Sequence, residues 1–199
     1  MARLNILSSA AAALGLALLA GCAAMNTVTS EVSTYGAWPS GRSAGSFAIE
    51  RLPSQQAQSA DMLEVEAAAQ AALQAAGFKP VAAGGQPDVL VQLGARVSRQ
   101  ARSPWDDPMW LGVGFSRWNW PHWGGPGWGW TTRYESTTYA REVAVLIRDR
   151  SNSQPLYEAR ARTDGISPGG KVVIAAMFMA AMTDFPAAKP EPHDVAVAP

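Results

Sequence analysis

The sequence contains little cysteine, little histidine and no excess of charge of either sign. Its 199 residues include one cysteine and two histidines, and 16 basic residues balance 16 acidic ones. One cysteine excludes an intramolecular disulfide scaffold and any zinc or iron–sulfur site built from several cysteines. A neutral chain lacks the basic surface that phosphate binding requires, so we expect no nucleic-acid partner. The hydrophobic fraction of 48% excludes a chain that is disordered throughout.

The N-terminal segment resembles the signal peptide of a bacterial lipoprotein. Arg3 supplies a positive charge, and residues 6–20 form an uncharged stretch rich in leucine and alanine. The stretch runs into Leu19-Ala20-Gly21-Cys22, which resembles a lipobox, where small residues precede the lipid-bearing cysteine. We therefore predict a signal peptide over residues 1–21 and lipidation at Cys22. Several acyl chains form a stable membrane anchor, at about 0.8 kcal/mol for each buried methylene.

Two other interpretations of this segment remain open. An apolar run of about 20 residues is long enough for an uncleaved transmembrane helix, and an ordinary signal peptide can end near a chance cysteine. The position of the only cysteine directly after leucine, alanine and glycine favours lipidation. Ala23, rather than an aspartate, follows the cysteine, as in enterobacterial lipoproteins sorted to the outer membrane. We therefore expect a lipid-anchored protein of the outer membrane that faces the periplasm.

Composition and hydrophobic periodicity divide the mature chain into a tether, one domain and a tail. Residues 22–45 are rich in small and polar residues and predict a lipidated tether with one short strand near 28–32. Residues 46–186 predict a single domain, and the proline-rich residues 187–199 predict a disordered tail. Within the domain we predict strands at 46–51, 88–98, 131–149 and 155–162, and helices at 61–76 and from Ser167-Pro168 to Phe185.

The order of these elements predicts the fold class. Strands and helices are mixed without a regular βαβ alternation, which is typical of an α+β fold. We expect an antiparallel or mixed sheet with two helices packed on one face, and a long loop inserted between two strands. The first helix has the clearest local signals, because Asp61 and Glu64 have the spacing of a capping box and Gly77 stands at the expected C-cap.

Several motifs recur in an order that resembles a known family. They are the lipobox at Cys22, Pro87-Asp88-Val89-Leu90-Val91, Val143 to Asp149, Pro155-Leu156-Tyr157 and Asp184-Phe185-Pro186. Together they resemble the bacterial lipoprotein family known as domain of unknown function 4136, and the resemblance covers roughly residues 26–186. The chain departs from that family at Tyr157, where tryptophan is common, and in lacking a glycine before Val143. The resemblance implies an envelope lipoprotein without an established activity, and it supplies no catalytic residue.

Most of the tryptophans belong to one segment that is interrupted by glycine. Seven of the eight lie there: Trp105, Trp110, Trp118, Trp120, Trp123, Trp128 and Trp130. Runs such as Gly124-Gly125-Pro126-Gly127 are incompatible with a helix or a central strand, so residues 103–130 predict a Trp/Gly-rich loop. Indole suits sugar rings and membrane interfaces, which makes this loop a candidate contact surface for a glycan, a lipid or an envelope protein. Packing of the tryptophans on an open part of the sheet is the alternative.

One catalytic pattern is present in the sequence. Residues 165–169 match G-x-S-x-G around Ser167, and Asp184 and His193 follow in the order of an esterase triad. An N-cap serine before a helix explains the same residues without strain, Asp184 and His193 follow within only 26 residues, and His193 lies in the predicted tail. We therefore do not expect an esterase.

The sequence gives only weak indications of a metal site or an anion site. His122 lies near Asp106 and Asp107, but the chain has no H-E-x-x-H or paired-histidine spacing, so we predict no metal and no cofactor. The arginines that follow the strand at 88–98 could meet lipid phosphates or simply solvate a strand end; these are Arg96, Arg99 and Arg102.

The sequence thus favours a non-catalytic protein. We expect an outer-membrane lipoprotein whose domain is a binding or structural module of the cell envelope. The alternative is an envelope hydrolase that acts on a glycan or a lipid.

Overall fold

One mixed sheet and three helices make up the described part of the chain, residues 27–101 and 137–198 of a computed structural model. The strands are β1 (Val28–Gly36), β2 (Ser46–Ile49), β3 (Lys79–Pro80), β4 (Val89–Ala101), β5 (Thr137–Asp149), β6 (Pro155–Gly165) and β7 (His193–Val197). The helices are α1 (Pro53–Ala57), α2 (Ser59–Ala75) and α3 (Lys171–Met182). The strand order is β3-β2-β4-β5-β6-β1-β7, with β2 parallel to both neighbours and all other pairs antiparallel.

The core lies between one face of this sheet and helices α2 and α3. Alternate residues of the long strands point into it, as the period of two requires; they include Val89, Val91, Leu93, Val143, Val145 and Ile147. Ala159 and Ala161 of β6 are fully buried, and their small side chains let α3 approach the sheet closely. The predicted α+β fold, with two long helices on one face of a mixed sheet, is confirmed. The short helix α1 is an addition that the sequence did not predict.

The end of α2 follows the predicted C-cap. Gly77 adopts a left-handed conformation with φ of 94°, and the amide of Phe78 donates to the Leu73 carbonyl at 3.0 Å. Phe78 itself is buried against the core. This is the arrangement in which glycine avoids the steric penalty of a positive φ and an apolar residue packs back on the last turn.

The starts of both long helices differ from the prediction. α2 begins at Ser59, so Asp61 lies in its first turn and is not the cap. α3 begins at Lys171 with Gly170 as its N-cap, not at Ser167. The reason is local: the Ser167 carbonyl accepts a hydrogen bond from Arg141 at 2.6 Å, and Gly169 has φ of 77°, which no right-handed helix contains.

The predicted boundary between tether and domain is wrong, because the short strand predicted near 28–32 is longer and belongs to the sheet. Residues 28–36 form β1, a nine-residue strand that lies inside the sheet between β6 and β7. Ser30, Val32 and Thr34 alternate as its buried positions. Two of these three positions are polar, so the sequence lacks the alternation of apolar and polar residues that usually indicates a buried strand. The folded domain therefore begins at Val28 and not at residue 46.

The predicted disordered tail is also wrong. Residues 193–197 form β7, which pairs with β1 from Val28 to Val32. Hydrogen bonds between Thr34 and Lys189 hold the chain that leads to β7. The Thr34 amide donates to the Lys189 carbonyl at 2.9 Å, and the Lys189 amide donates to the Thr34 hydroxyl. These contacts join residues that are far apart in the sequence, so the proline-rich composition gave no indication of them.

We predict that removing residues 191–199 exposes one edge of β1. Alternate amides of β1 point toward β7 and toward β6, because neighbouring residues of a strand donate to opposite sides. Hydrogen exchange followed by mass spectrometry should become faster, on the order of ten-fold or more, at the amides that face β7. The amides that face β6 are the internal control. Unchanged exchange at every β1 amide would show that β7 does not protect this strand.

Candidate functional site

Several strands begin or end at one end of the sheet, which we call the open end. β1 begins there, next to the end of β6, where the Thr163 hydroxyl donates to the Thr29 carbonyl at 2.9 Å. β4 ends and β5 begins there, with Ala101 and Thr137 as register partners. Residues 102–136, which contain the predicted Trp/Gly-rich loop, therefore leave and rejoin the sheet at the open end. We call the opposite end, which carries the turn at 150–154 between β5 and β6, the turn end.

Helices α2 and α3 also begin at the open end. An ion pair joins them, between Glu64 Oε1 in the second turn of α2 and Lys171 Nζ at the first residue of α3, at 2.9 Å. Between these helix starts and the last part of β4 lies a groove of about 330 Å³. Its lining is mainly apolar, with charged residues beside it: Val65, Ala68, Ala95, Val97 and Ile174, together with Asp61, Glu64 and Lys171.

A buried arginine organises the loop between β6 and α3. The exposed fraction of Arg141 is 7%, and its Nη2 donates to the Ser167 carbonyl. A Cβ atom at Gly165 would overlap the guanidinium, and one at Gly169 would lie 3.0 Å from its Nε. Among the residues that the structure describes, Arg141 has no carboxylate partner within ion-pair distance. These contacts of Arg141 fix the backbone path of residues 165–170.

Exposed apolar side chains concentrate at this same end. Within the described ranges, four of the six large hydrophobic residues that are exposed lie there: Leu63, Val97, Ile166 and Val172. Ile166, directly after β6, is 90% exposed. The other two are Tyr35 and Leu52. Apolar side chains grouped in this way mark an interaction surface more often than single scattered ones do.

A second group of polar residues lies near the far end of α3. The side chain of Asp184 is 4% exposed and lies 2.5 Å from Lys189 Nζ and 2.9 Å from His193 Nε2. Burial raises the pKa of the nearby Tyr157 phenol to about 12; the Thr34 hydroxyl opposes this shift and the charge of Asp184 adds to it. All of these contacts are internal, and they tie the C-terminal segment to β1 and β6.

The eighth tryptophan has a structural role at the turn end. Trp38 packs edge-on against Phe185, with ring centroids 4.8 Å apart, and against Phe78 at 5.7 Å. Its indole nitrogen donates to the Arg42 carbonyl at 2.9 Å. Nearby, the pKa of Asp149 is held well below its usual range by the Ser151 hydroxyl and the Arg42 guanidinium. This aromatic group joins three separate chain segments, and no local pattern in the sequence predicts it.

The three residues of the esterase pattern are not brought together. Asp184 and His193 are in contact, but Ser167 precedes α3 whereas Asp184 follows it. A helix of 12 residues separates them by about 18 Å.

The two glutamates of α2 form separate ion pairs. Glu64 pairs with Lys171, and Glu66 forms a bidentate pair with Arg51 at 2.5 and 2.8 Å.

Several predicted site residues lie outside the described ranges. These are Cys22, the seven tryptophans from Trp105 to Trp130, His122, Asp106, Asp107 and Arg102. Arg96 and Arg99 lie exposed on β4, and Arg99 Nη2 donates to the Thr137 hydroxyl at 3.2 Å. Within residues 27–101 and 137–198, no group of three acidic, histidine or cysteine side chains is placed to hold a metal. In the same ranges no helix has the length and apolarity needed to cross a bilayer.

Comparison with known proteins identifies a family and a distant fold likeness. A family model described as domain of unknown function DUF4136 matches residues 31–187, whereas no curated protein matches the chain. A PDZ domain protein from Parabacteroides distasonis is similar at 12% identity and a TM-score of 0.49; the match covers 85% of this chain and 38% of that protein. Two PelC dodecamer structures from Paraburkholderia phytofirmans match at 10% and 12% identity, each with a TM-score of 0.41. They cover 79% of this chain and 95% and 96% of theirs. These scores are too low to support any inference about function.

We predict that Tyr157→Phe changes the alkaline stability of the protein. The pKa of the Tyr157 phenol is raised in the folded state. Its contribution to the free energy of unfolding is therefore complete below about pH 10 and is lost as the pH rises through about 12. The free energy of unfolding, measured with urea between pH 8 and pH 12 or so, should fall less steeply in the variant than in the parent chain. Equal slopes would contradict a buried, neutral phenol at this position.

We predict that Gly165→Ala destabilises the protein by about 1–3 kcal/mol. The methyl group of the new alanine would overlap the buried Arg141 guanidinium and force it out of its position. Gly170→Ala is the matched control, since a Cβ there meets no atom within 4 Å. We expect it to cost less than about 1 kcal/mol. Urea unfolding measures both variants, and an equal loss at the two glycines would refute the ordering role of Arg141.

Proposed function

The chain belongs to the DUF4136 family, and from that premise we propose that it is a lipoprotein of the outer membrane that faces the periplasm. In this proposal Cys22 carries the lipid and the domain is a non-catalytic binding or structural module of the envelope. The segment with the seven tryptophans is its contact surface, for a glycan, a lipid or an envelope protein.

The proposal depends most on the arrangement of the open end. β1 begins at Val28, so five residues separate the first residue of the domain from Cys22. The two strands that flank residues 102–136 are paired up to Ala101 and Thr137 at the same end. Each of these strands has 13 residues, and together they form a rigid support for the intervening segment. Binding segments are often carried in this way on a stable scaffold.

The placement of the esterase residues supports binding over hydrolysis. A nucleophile must lie within hydrogen-bond reach of its base, at about 3 Å. Ser167 lies at the open end, whereas the Asp184–His193 pair lies beyond the far end of α3. Asp184 is also engaged by Lys189, which suits a carboxylate that stabilises the fold.

We predict that Cys22→Ala abolishes lipid attachment. In cells labelled with radioactive palmitate, the parent chain should carry label and fractionate with the outer membrane, whereas the variant should be unlabelled and either unprocessed or released to the periplasm. Palmitate incorporation into the variant would refute the assignment of Cys22.

We predict that replacing Trp118, Trp120, Trp128 and Trp130 by alanine reduces binding more than stability. The probes are purified peptidoglycan sacculi and vesicles of phosphatidylethanolamine and phosphatidylglycerol. Trp38→Ala is the control, because Trp38 packs in the aromatic group at the turn end and its loss should lower the melting temperature. A large loss of melting temperature in the fourfold variant, with unchanged binding, would instead indicate that these tryptophans pack against the domain.

A further inference from the structure

We infer that the open end rests on the phospholipid surface in which the chain is anchored, with Ile166 in contact with the lipid. This inference rests on the proposed anchor at Cys22 and deepens it by naming the partner and the contacting residue. The short chain before β1, the apolar side chains at the open end and the fixed course of residues 166–170 support this orientation.

The chain before β1 is too short to hold the domain far from the membrane. From Cys22 to Val28 the fully extended chain spans roughly 20 Å, at about 3.3–3.6 Å per residue. β5 has 13 residues and runs between the open and turn ends, which makes the sheet about 43 Å long at about 3.3 Å per residue. Because β1 starts at the open end, the anchor brings that end to the bilayer and leaves the turn end in the aqueous phase.

The two ends have the surface character that this orientation requires. At the open end Ile166 is 90% exposed, and Leu63 near the start of α2 and Val172 in the first turn of α3 are each more than half exposed. The turn end carries polar contacts instead, such as the ion pair of Arg42 with Asp149 at 2.6 Å. The exposed turn residues there are Arg150, Ser151, Asn152, Ser153 and Gln154.

Ile166 is presented by a fixed loop. The Arg141 guanidinium holds the Ser167 carbonyl, one residue beyond Ile166, and packs beneath Gly165 and Gly169. An apolar side chain held in position loses little conformational freedom when it enters the lipid headgroup region. The loop also follows directly on the end of β6, beside Thr29 at the start of β1, so Ile166 lies close to the point where the anchored chain enters the domain.

The charges at the open end favour apolar contact over electrostatic attraction. The exposed basic residues there are matched by acidic ones, and Lys171 is already paired with Glu64. The basic residues are Arg96, Arg99, Arg162 and Lys171, and the acidic residues are Glu31, Asp61, Glu64, Glu142 and Asp164. Attraction to anionic lipid by a basic patch is strongly screened by salt. We therefore expect the contact of Ile166 with lipid to change little when phosphatidylglycerol is omitted or when salt is raised.

Fluorescence quenching in the full, acylated chain tests this orientation. Ser167→Cys places a bimane label beside Ile166 and leaves that side chain intact, and Asn152→Cys places the same label at the turn end. Both variants are reconstituted into phosphatidylethanolamine–phosphatidylglycerol vesicles that contain brominated acyl chains. We expect the label at 167 to be quenched by the brominated lipid and protected from aqueous iodide, and the label at 152 to behave in the opposite way.

A second variant tests the role of Ile166 itself. In the Ser167→Cys background, Ile166→Asp should reduce quenching by brominated lipid several-fold, while Leu52→Asp, an exposed leucine between β2 and α1, should not. Equal iodide access at 167 and 152 in acylated protein would overturn the inference and leave the anchor intact. Protection at 167 that requires added sacculi would overturn it in favour of a glycan. Absence of acylated chain from the vesicles would refute the proposed anchor.

Discussion

The antiparallel pairing of β1 with β6 is the interaction on which the rest of the structure depends. It places residues 28–36 inside the sheet, so that segment is part of the folded domain and not of a linker. It also directs the start of β1 to the open end, where β4 and β6 end and β5 begins. If Cys22 carries the lipid, as proposed, this one register also sets the position of the anchor relative to the domain, because only five residues lie between Cys22 and Val28.

The same pairing creates the edge that β7 covers. Without residues 193–197, the backbone groups of β1 from Val28 to Val32 would face solvent, and an unpaired edge strand invites association with other chains. The contacts of Asp184 with Lys189 and His193, and of Lys189 with Thr34, guide the chain from α3 back to this edge. The polar group near the end of α3 is thus explained by folding, although its side chains include types that are common in catalytic sites.

The sequence predicted those parts of the fold that have local signals. Alternating apolar residues revealed β4 and β5, and the Gly77–Phe78 pair revealed the end of α2. β1 was predicted only as a short strand near 28–32 within a tether, because two of its three buried positions are Ser30 and Thr34, which form no apolar alternation. β7 was missed because prolines precede a strand of only five residues, and its partner lies more than 150 residues earlier in the chain.

The candidate site was only partly accessible to sequence reasoning, for the same reason. Lipidation at Cys22 and the Trp/Gly-rich contact surface are patterns within single segments and stay predictions. The buried Arg141, the exposure of Ile166 and the convergence of five strand ends at the open end are products of long-range pairing. No local pattern distinguishes Arg141 from the exposed arginines of neighbouring strands, and Ser167 was interpreted as a helix cap because Arg141 was not recognised as its partner.

Neutron reflectometry of the acylated chain on a supported bilayer resolves protein from water along the membrane normal and so tests whether the open end rests on the membrane. We expect protein density to begin at the lipid headgroups without an intervening water layer and to extend about 40 Å outward, the length of the sheet along β5. A hydrated gap between headgroups and domain, or a protein layer much thinner than the sheet is long, would contradict the orientation with the open end on the membrane.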